Sequence, residues 1–279
     1  MKKYAEIIIV PIDFSEQSLI ALEQAVNLSV YFNSQVKLLH VKDTGLGKFF
    51  SSSEETLNVE EKLKQIALKY AKPDISLDII IDQGVVHDKI TKIAESLDAN
   101  FIVMGVNSGT KFKKRLIGET ALKVVRKSTI PVITIKGKHH YTGCRNIVFP
   151  LDLTEATTQK ISNAIDFAKK GNCSIRILSV LFTTDDYTVS KLVRQLEEVR
   201  KIITSNDIEC TAEIVKAIKD EETTAQVIID YAHKVEGDMI MIMTQQETDS
   251  KEKLIGSTAE EIIMDSDIPV MSVIPQKIS

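Results

Sequence analysis

Short apolar runs alternate with longer amphipathic stretches along the chain. The continuous apolar run Ile7–Ile12 predicts a strand buried on both faces. Leu19, Leu22, Val26 and Val30 follow at the spacing of one helix face, which predicts an amphipathic helix. The first half then continues as strand, helix, strand, helix, strand, loop, helix and strand. Strands that alternate with helices predict an α/β fold with parallel strands and right-handed crossovers.

The second half repeats this pattern. VPIDFSE, which contains Asp13, matches FPLDLTE, which contains Asp152, at an offset of 139 residues. FIVMG from Phe101 matches IMIMT from Ile240 at the same offset, whereas Gly118 matches Gly256 at 138, so we place a one-residue deletion in the loop between them. A register held over two halves indicates duplication. We therefore predict two domains, 1–137 and 138–279, each with an open five-stranded parallel sheet flanked by helices.

The composition limits the classes of function. The chain is 43% hydrophobic and 27% charged, which is typical of a globular protein, and its net charge of −4 gives no general attraction to nucleic acid. Its three cysteines form no CxxC motif and fit a reducing compartment. No stretch approaches the roughly 18 apolar residues of a membrane span, and the first apolar run is too short for a signal peptide. We expect a cytoplasmic protein without nucleic-acid or membrane partners.

Chemistry-bearing residues follow the first and fourth strands. Open parallel sheets bind ligands beyond the carboxyl ends of their strands. Asp13 ends the first strand, and Gly105 leads from the fourth strand into a glycine-bearing loop that precedes the helix at Gly118. A carboxylate accepts hydrogen bonds from amines and hydroxyls, whereas a glycine loop and a helix N-terminus receive anions. This combination predicts a site for an adenine nucleotide.

Several motifs, read in order and seen twice, carry a family resemblance. VPID, LLHV, IVMG, the spaced glycines and IPVI resemble the universal stress protein family, and the whole chain resembles a tandem of two UspA-like domains. The resemblance implies a Rossmann-like fold of the adenine nucleotide alpha hydrolase type and a non-enzymatic role in the stress response. It also implies that the last strands, Ile130–Ile135 and Ile268–Val273, pair the domains as a pseudo-dimer within one chain. Whether two chains form a homodimer stays open.

Nucleotide-binding members of that family carry G-x2-G-x9-G-[ST] after the fourth strand, an Asp after the first and a β-branched residue closing the second. Asp13 and Val41 would therefore contact adenosine, and the glycine loop would surround the phosphates. The candidate binding residues are Pro11, Asp13, Val41, Met104, Gly105, Ser108, Gly109, Gly118, Glu119 and Thr120 in the first half, and Asp152, Gly256, Ser257 and Thr258 in the second.

This chain departs from the motif in both halves. Glu119 replaces the Ser or Thr and would repel a triphosphate unless a metal bridges the two or the side chain turns to solvent. In the second half Thr244 and Glu247 replace the first two glycines. Four cations in the first loop, within Lys111–Arg115, favour an anion. We therefore expect ATP or AMP, with Mg²⁺ as a companion of ATP, bound better by the first half. The alternative is a protein-interaction scaffold that has lost nucleotide binding.

Other candidates have simpler structural interpretations. Asp13 and Asp152 could cap the following helices, for which Ser15 is also suited. His40 closes the second strand, as a core or sheet-edge histidine or as a ligand contact. No catalytic motif is present, so the chain is predicted to be at most a weak ATP hydrolase.

A zinc site is the last candidate considered. His139, His140 and Cys144 are close enough in sequence to hold zinc, but a fourth ligand is missing. An exposed linker is the alternative for this segment.

Overall fold

The structure is a computed structural model that divides into two compact units, Met1–Gly143 and Cys144–Ser279. It describes residues 6–44, 53–75, 77–106, 118–137, 144–151, 157–182, 185–218, 221–244 and 255–273. The division falls within the polar linker Lys136–Cys144. Among the described helices, none combines the length and apolar character needed to cross a membrane.

The first unit is an open parallel sheet with helices between successive strands. Its elements are β1 (Glu6–Pro11), α1 (Glu16–Phe32), β2 (Ser34–Asp43), α2 (Ser53–Tyr70), β3 (Leu77–Gly84), α3 (Val86–Ser96), β4 (Phe101–Gly105), α4 (Glu119–Lys127) and β5 (Val132–Ile135). The strand order is β3-β2-β1-β4-β5, and every pair is parallel. Chain progression reverses beside β1, so the carboxyl ends of β1 and β4 flank the switch point.

The local sequence explains the first elements. Ile8, Ile9 and Val10 are fully buried, as the apolar run predicts for a central strand. The Ser15 side chain accepts a hydrogen bond from Ser18 N and caps α1. Asn33 ends this helix in the left-handed conformation.

The second unit repeats the architecture. Its elements are β6 (Asn146–Pro150), α5 (Thr157–Gly171), β7 (Ser174–Leu181), α6 (Asp186–Thr204), β8 (Cys210–Lys216), α7 (Thr224–Lys234), β9 (Met239–Met243), α8 (Ser257–Asp265) and β10 (Val270–Val273). The strands run in the order β8-β7-β6-β9-β10, again in parallel. The predicted α/β fold with two five-stranded parallel sheets is confirmed. Pairing of the domains through their last strands stays a prediction.

The strand pairings correct one part of the predicted repeat. In the first sheet Ile8 pairs with Phe101, and in the second Ile147 pairs with Met239. Phe101 therefore corresponds to Met239, and the predicted match to Ile240 is wrong by one residue.

The same correction applies at the ends of these strands. Gly105 is the last β4 residue, paired with Ile135, and Met243 is the last β9 residue, paired with Val273. Met243, not Thr244, therefore stands at the first glycine position. Gly118 follows Gly105 by 13 positions and Gly256 follows Met243 by the same number, so the predicted loop deletion is wrong.

Residues in the left-handed conformation show that the one-residue difference in length between the two halves lies earlier in the chain. Asn33 and Asn172 follow α1 and α5 at an offset of 139, whereas Asp98 and Glu236 follow α3 and α7 at 138. The two halves therefore change register between β2 and the end of α3, where the third strands also differ in length.

Candidate functional site

A cavity of about 600 Å³ opens beyond the carboxyl ends of β1, β2 and β4 in the first unit. It is lined by Pro11, Ile12, Asp13, Ser15, Ser18, Leu39, Val41, Asp43, Val86, Ile90, Met104, Gly105, Gly118, Glu119, Thr120 and Ala121. Eight of the ten predicted first-half residues line this one space, and Ser108 and Gly109 lie outside the described residues. The cations of Lys111–Arg115 lie outside them as well.

Gly105 is a glycine for a packing reason. A Cβ at this position would lie 2.5 Å from the carbonyl oxygen of Gln17 and 2.6 Å from its carbonyl carbon. Both atoms belong to the α1 backbone, which cannot move aside as a flexible side chain could. The close approach of α1 to the end of β4 therefore requires glycine at position 105, whether or not a phosphate lies nearby.

Gly118 is a glycine for a conformational reason. Its φ of 80° and ψ of −4° lie in the left-handed region, and it immediately precedes α4. No side-chain hydrogen bond caps this helix start. The first N–H groups of a helix have no partner within it, so the start of α4 offers the cavity donors suited to an anion.

Glu119 is the first residue of α4 and lines the cavity. Its Oε1 lies 2.6 Å from Nζ of Lys123, one helical turn further on. The hydrogen bond from Lys123 and its positive charge hold the pKa of Glu119 below its usual value. Because the Glu119 side chain is 49% exposed, solvent screens this pair. The carboxylate that should repel a phosphate therefore has a counter-ion on its own helix.

Asp13 has a structural role in addition to its place in the cavity wall. Its Oδ1 accepts a hydrogen bond from Ser15 N at 3.0 Å and another from the Ser15 hydroxyl. These bonds shape the turn that precedes α1. The position of Asp13 is thus compatible both with a role at the start of α1 and with contact to a ligand.

His40 does not line the cavity. Its Nδ1 lies 2.8 Å from the carbonyl oxygen of Ile12, and its ring centroid lies 4.9 Å from that of Phe14. Phe14 has a φ of 64°, an uncommon conformation for an aromatic residue. His40 lies within β2, three residues before its end at Asp43, and links this strand to Ile12, which follows β1.

Asp43 is a cavity residue that the sequence analysis missed. The predicted second strand ends at Val41, but β2 continues to Asp43, which lies two residues further on and lines the same space. Lys42 and Asp43 are both polar, so the pattern of apolar and polar residues beyond Val41 carries no strand signal. With Asp13 and Glu119, Asp43 gives the wall three carboxylates, which favour hydroxyl and amine partners. The other missed wall residues are Ile12, Ser15, Ser18, Leu39, Val86, Ile90 and Ala121.

The second unit has a cavity of about 470 Å³ at the matching place in its sheet. It is lined by Pro150, Leu151, Leu178, Ser179, Val180, Leu192, Thr224, Ile228, Ile242, Met243, Thr244, Gly256, Ser257, Thr258, Ala259 and Ile262. The predicted Gly256, Ser257 and Thr258 are among them, and Asp152 lies outside the described residues. No ionisable side chain occurs among these described lining residues, whose polar groups are hydroxyls.

The two glycines that precede the last helices differ in conformation. Gly256 has a φ of −61° and a ψ of 147°, which any residue can adopt, in contrast to left-handed Gly118. Serine also follows Gly256 where glutamate follows Gly118. The start of α8 therefore presents hydroxyl groups where α4 presents a carboxylate.

The cysteine of the zinc hypothesis lies at the opposite end of the second sheet. Cys144 is buried before β6, and the Cys173 thiol donates to its carbonyl oxygen at 2.7 Å. His139 and His140 lie outside the described residues. Over the part of the chain that the structure describes, no three His, Cys, Asp or Glu side chains are grouped to hold a metal ion.

Comparison with known proteins gives one consistent result. The universal stress protein family model matches residues 5–136 and 143–273. A universal stress protein of Methanocaldococcus jannaschii is 31% identical over 154 residues, which cover 47% of this chain and 95% of that protein. A second from the same organism is 27% identical over 137 residues, covering 46% and 81% respectively. The crystal structure of a universal stress protein from Archaeoglobus fulgidus DSM 4304 covers 97% of both chains with a TM-score of 0.78 at 21% identity, so the two share a fold.

Proposed function

The chain belongs to the universal stress protein family, and from this premise we propose that it is a non-enzymatic stress-response regulator that binds an adenine nucleotide. The observation that carries the proposal is the convergence of eight sequence-predicted residues on one cavity at the switch point of the first sheet. The cytoplasm is the proposed compartment, in keeping with three free, buried cysteines.

Different parts of the wall of the first cavity are suited to different parts of an adenine nucleotide. Asp13 and Asp43 would accept hydrogen bonds from the adenine amine or the ribose hydroxyls, and Val41 and Ile90 would pack against the base. The start of α4 at Gly118 would receive a phosphate. If ATP brings Mg²⁺, these carboxylate oxygens are ligands of the type that the ion prefers.

We propose that the first unit binds ATP more tightly than the second. Gly105 leaves the end of β4 without a side chain, and Lys123 compensates the charge of Glu119. The second unit has a smaller cavity and the Met243 side chain at the matching place.

The test is mass spectrometry of small molecules released from the freshly purified, denatured full-length protein. We expect ATP, ADP or AMP near one molecule per chain. Gly118→Val, at a left-handed position, should remove the nucleotide, while Gly256→Val, the same change at the N-cap of α8, should retain it as the matched control. Protein that carries no nucleotide and binds none at millimolar concentration would refute nucleotide binding.

A scaffold function is the second candidate, and the acidic wall of the first cavity favours it. Asp13, Asp43 and Glu119 all line a space that would have to accept phosphates. A scaffold should bind its protein partner equally with and without ATP. A regulator should show partner binding that changes on addition of ATP and that no longer changes in Gly118→Val.

A further inference from the structure

A groove of about 720 Å³ lies between the second half of α2 and the first half of β3, away from the cavity described above. Its α2 wall is formed by Lys64, Ala67, Leu68 and Ala71, whose spacing places them on one face of the helix. Its β3 wall is residues 77–80. Leu68 is 78% exposed, so this face of α2 presents apolar surface to solvent.

The strand of this groove, β3, lies at the end of the strand order of the first unit. Among the described strands it pairs with β2 alone. Along its outer side the N–H and C=O groups therefore have no neighbouring strand in the described part of the chain, and such an edge is a template for one more strand. A groove between an edge strand and a helix suits an extended peptide, whose backbone pairs with the strand while alternate side chains point toward the helix.

The second unit has an arginine at the matching place. The strand registers make Cys210, the first residue of β8, the counterpart of Leu77, the first residue of β3. Ala67 and Arg200 have the same separation of 133 positions as these two residues. A long charged side chain on α6 therefore corresponds to a methyl group on α2.

Arg200 covers the start of β8. Its Nε and Nη2 donate to the carboxylate of Glu197, one turn earlier on α6. Burial raises the pKa of the Cys210 thiol to about 12, and the charge of Arg200, which is close enough to act on that thiol, opposes the rise. The ion pair of α6 thus lies over the first residue of β8, whereas Ala67 leaves the start of β3 open.

The helix wall of the groove is basic. Residues 62–72 contain four lysines and no acidic residue. Lys64 lines the groove, and although Oε1 of Glu60 lies 2.7 Å from its Nζ, the Lys64 side chain is still 54% exposed. At the strand wall, Lys37 and Asp78 balance each other, with Nζ and Oδ2 2.9 Å apart. The excess charge is therefore positive and is complementary to a segment with acidic residues.

A second copy of this chain is a poorer occupant. Symmetric pairing of β3 with the β3 of another copy would place the two α2 helices side by side on one face of the sheet. Their basic stretches, residues 62–72, would then repel each other. A partner of opposite charge meets no such repulsion.

We propose that the groove between α2 and β3 binds a protein partner through an extended apolar segment that is flanked by acidic residues. The segment adds a strand to the edge of β3, its apolar side chains contact Ala67 and Leu68, and a flanking carboxylate lies beside Lys64. The groove is at the amino end of β3, whereas the cavity opens beyond the carboxyl ends of the strands. The partner and a nucleotide can therefore be bound together, and the inference does not depend on nucleotide binding.

The experiment measures binding of a short fluorescein-labelled peptide to the full chain by fluorescence anisotropy. The peptide alternates valine and threonine and has glutamates at both ends, and a matched peptide has lysines there instead. We expect the glutamate peptide to bind about tenfold more tightly than the lysine peptide, with a difference that shrinks as salt increases. Methylation of every central backbone nitrogen should weaken binding about tenfold, because the peptide can then no longer donate to β3.

Variants of the full chain locate the binding site. Ala67→Arg introduces the residue of the second unit and should weaken binding of the glutamate peptide about tenfold by filling the groove. Lys64→Glu should weaken it about fivefold and strengthen binding of the lysine peptide. Leu68→Ala should weaken it about threefold. Leu57→Ala changes an exposed leucine of the same helix outside the groove and should leave binding unaltered.

The possible outcomes decide between occupants. The proposal is overturned if the glutamate peptide does not bind, if both peptides bind equally, or if Ala67→Arg and Lys64→Glu leave binding unchanged. Strengthened binding of the lysine peptide to Lys64→Glu supports it and cannot arise from loss of folding. Analytical ultracentrifugation tests the other occupant: a dimer of the unaltered chain that Ala67→Arg dissociates would assign the groove to a second copy and refute the proposal.

Discussion

The cavity of the first unit and the cavity of the second lie beyond the carboxyl ends of matching strands, but their walls differ in charge and in shape. The first has the carboxylates of Asp13, Asp43 and Glu119, whereas the described wall of the second has none. The first has Gly105 where the second has Met243. The position of the cavity is therefore the same in both units, whereas the residues that line it differ.

The largest expected difference concerns this same pair of positions. Gly105→Ala should lower the free energy of unfolding by about 3 kcal/mol, because the new Cβ would overlap the Gln17 backbone. Met243→Ala, at a partly buried wall position, should cost about 1 kcal/mol. Urea unfolding followed by circular dichroism measures both. Equal losses of the free energy of unfolding would show that the two strand ends are packed alike and would contradict the difference between them.

A smaller difference is expected at the glycines that precede α4 and α8. Gly118→Ala places a side chain at a φ of 80° and should cost about 1–2 kcal/mol. Gly256→Ala, at a φ of −61°, should cost about 0.5 kcal/mol because only the helix-cap preference changes. Thermal unfolding of both variants against the unaltered chain is the measurement. A Gly256→Ala loss as large as that of Gly118→Ala would contradict the conformational difference.

The fold could be predicted because the apolar runs and helix stripes recur in both halves. The position of the cavity could be predicted because Asp13 follows β1 and Gly105 ends β4, two strands that the topology brings together. The register of β9 could not be predicted from the sequence. FIVMG and IMIMT are both unbroken apolar runs, and a run without alternation does not reveal a shift by one residue.

The backbone conformation of matching glycines could not be predicted from the sequence either. Gly118 and Gly256 align in the sequence, yet only the first needs the freedom of glycine. The predicted role of Gly105 beside a phosphate did not anticipate its contact with Gln17, because that contact joins residues far apart in the chain. Asp43 was missed because β2 extends beyond its apolar residues by pairing with β3, where Asp43 pairs with Gly84.

The start of the first strand in each unit gives a pH-dependent comparison. In the first, the amide oxygen of Asn100 accepts from Ile7 N at 2.9 Å. In the second, the carboxylate of Asp238 accepts from Arg145 N at 2.6 Å and from Asn146 N at 3.1 Å. Burial raises the pKa of Asp238 above the ordinary value of 3.8, although the backbone donors oppose this.

A raised pKa in the folded state means that the Asp238 contribution to stability is complete below pH 3.8 and is lost as pH rises through the folded-state pKa. Asp238→Asn removes the titrating group and should therefore abolish the loss of stability that this group causes as pH rises. The amide has one acceptor oxygen where Arg145 N and Asn146 N need two, so the variant should also lose about 1 kcal/mol at pH 7 and below pH 3.8 alike. Urea titrations at the two pH values test this. Asn100→Asp is the reciprocal variant and should be destabilising at pH 7; an unaltered pH dependence in Asp238→Asn would contradict the assignment.

The smallest expected effect lies at the helix starts themselves, where Glu119 in the first unit corresponds to Ser257 in the second. Glu119→Ser should tighten ATP binding by at most about fivefold, because the carboxylate is half exposed and already paired with Lys123. Titration with a fluorescent ATP analogue at low salt gives the change in Kd, and the gain should shrink at 0.5 M salt as screening increases. Lys123→Ala is the complementary variant: with its counter-ion removed, Glu119 should weaken binding. If Glu119→Ser instead weakens ATP binding, the carboxylate contributes to holding ATP, for example through a bridging cation. The acidic wall of the first cavity would then increase the affinity for ATP rather than reduce it.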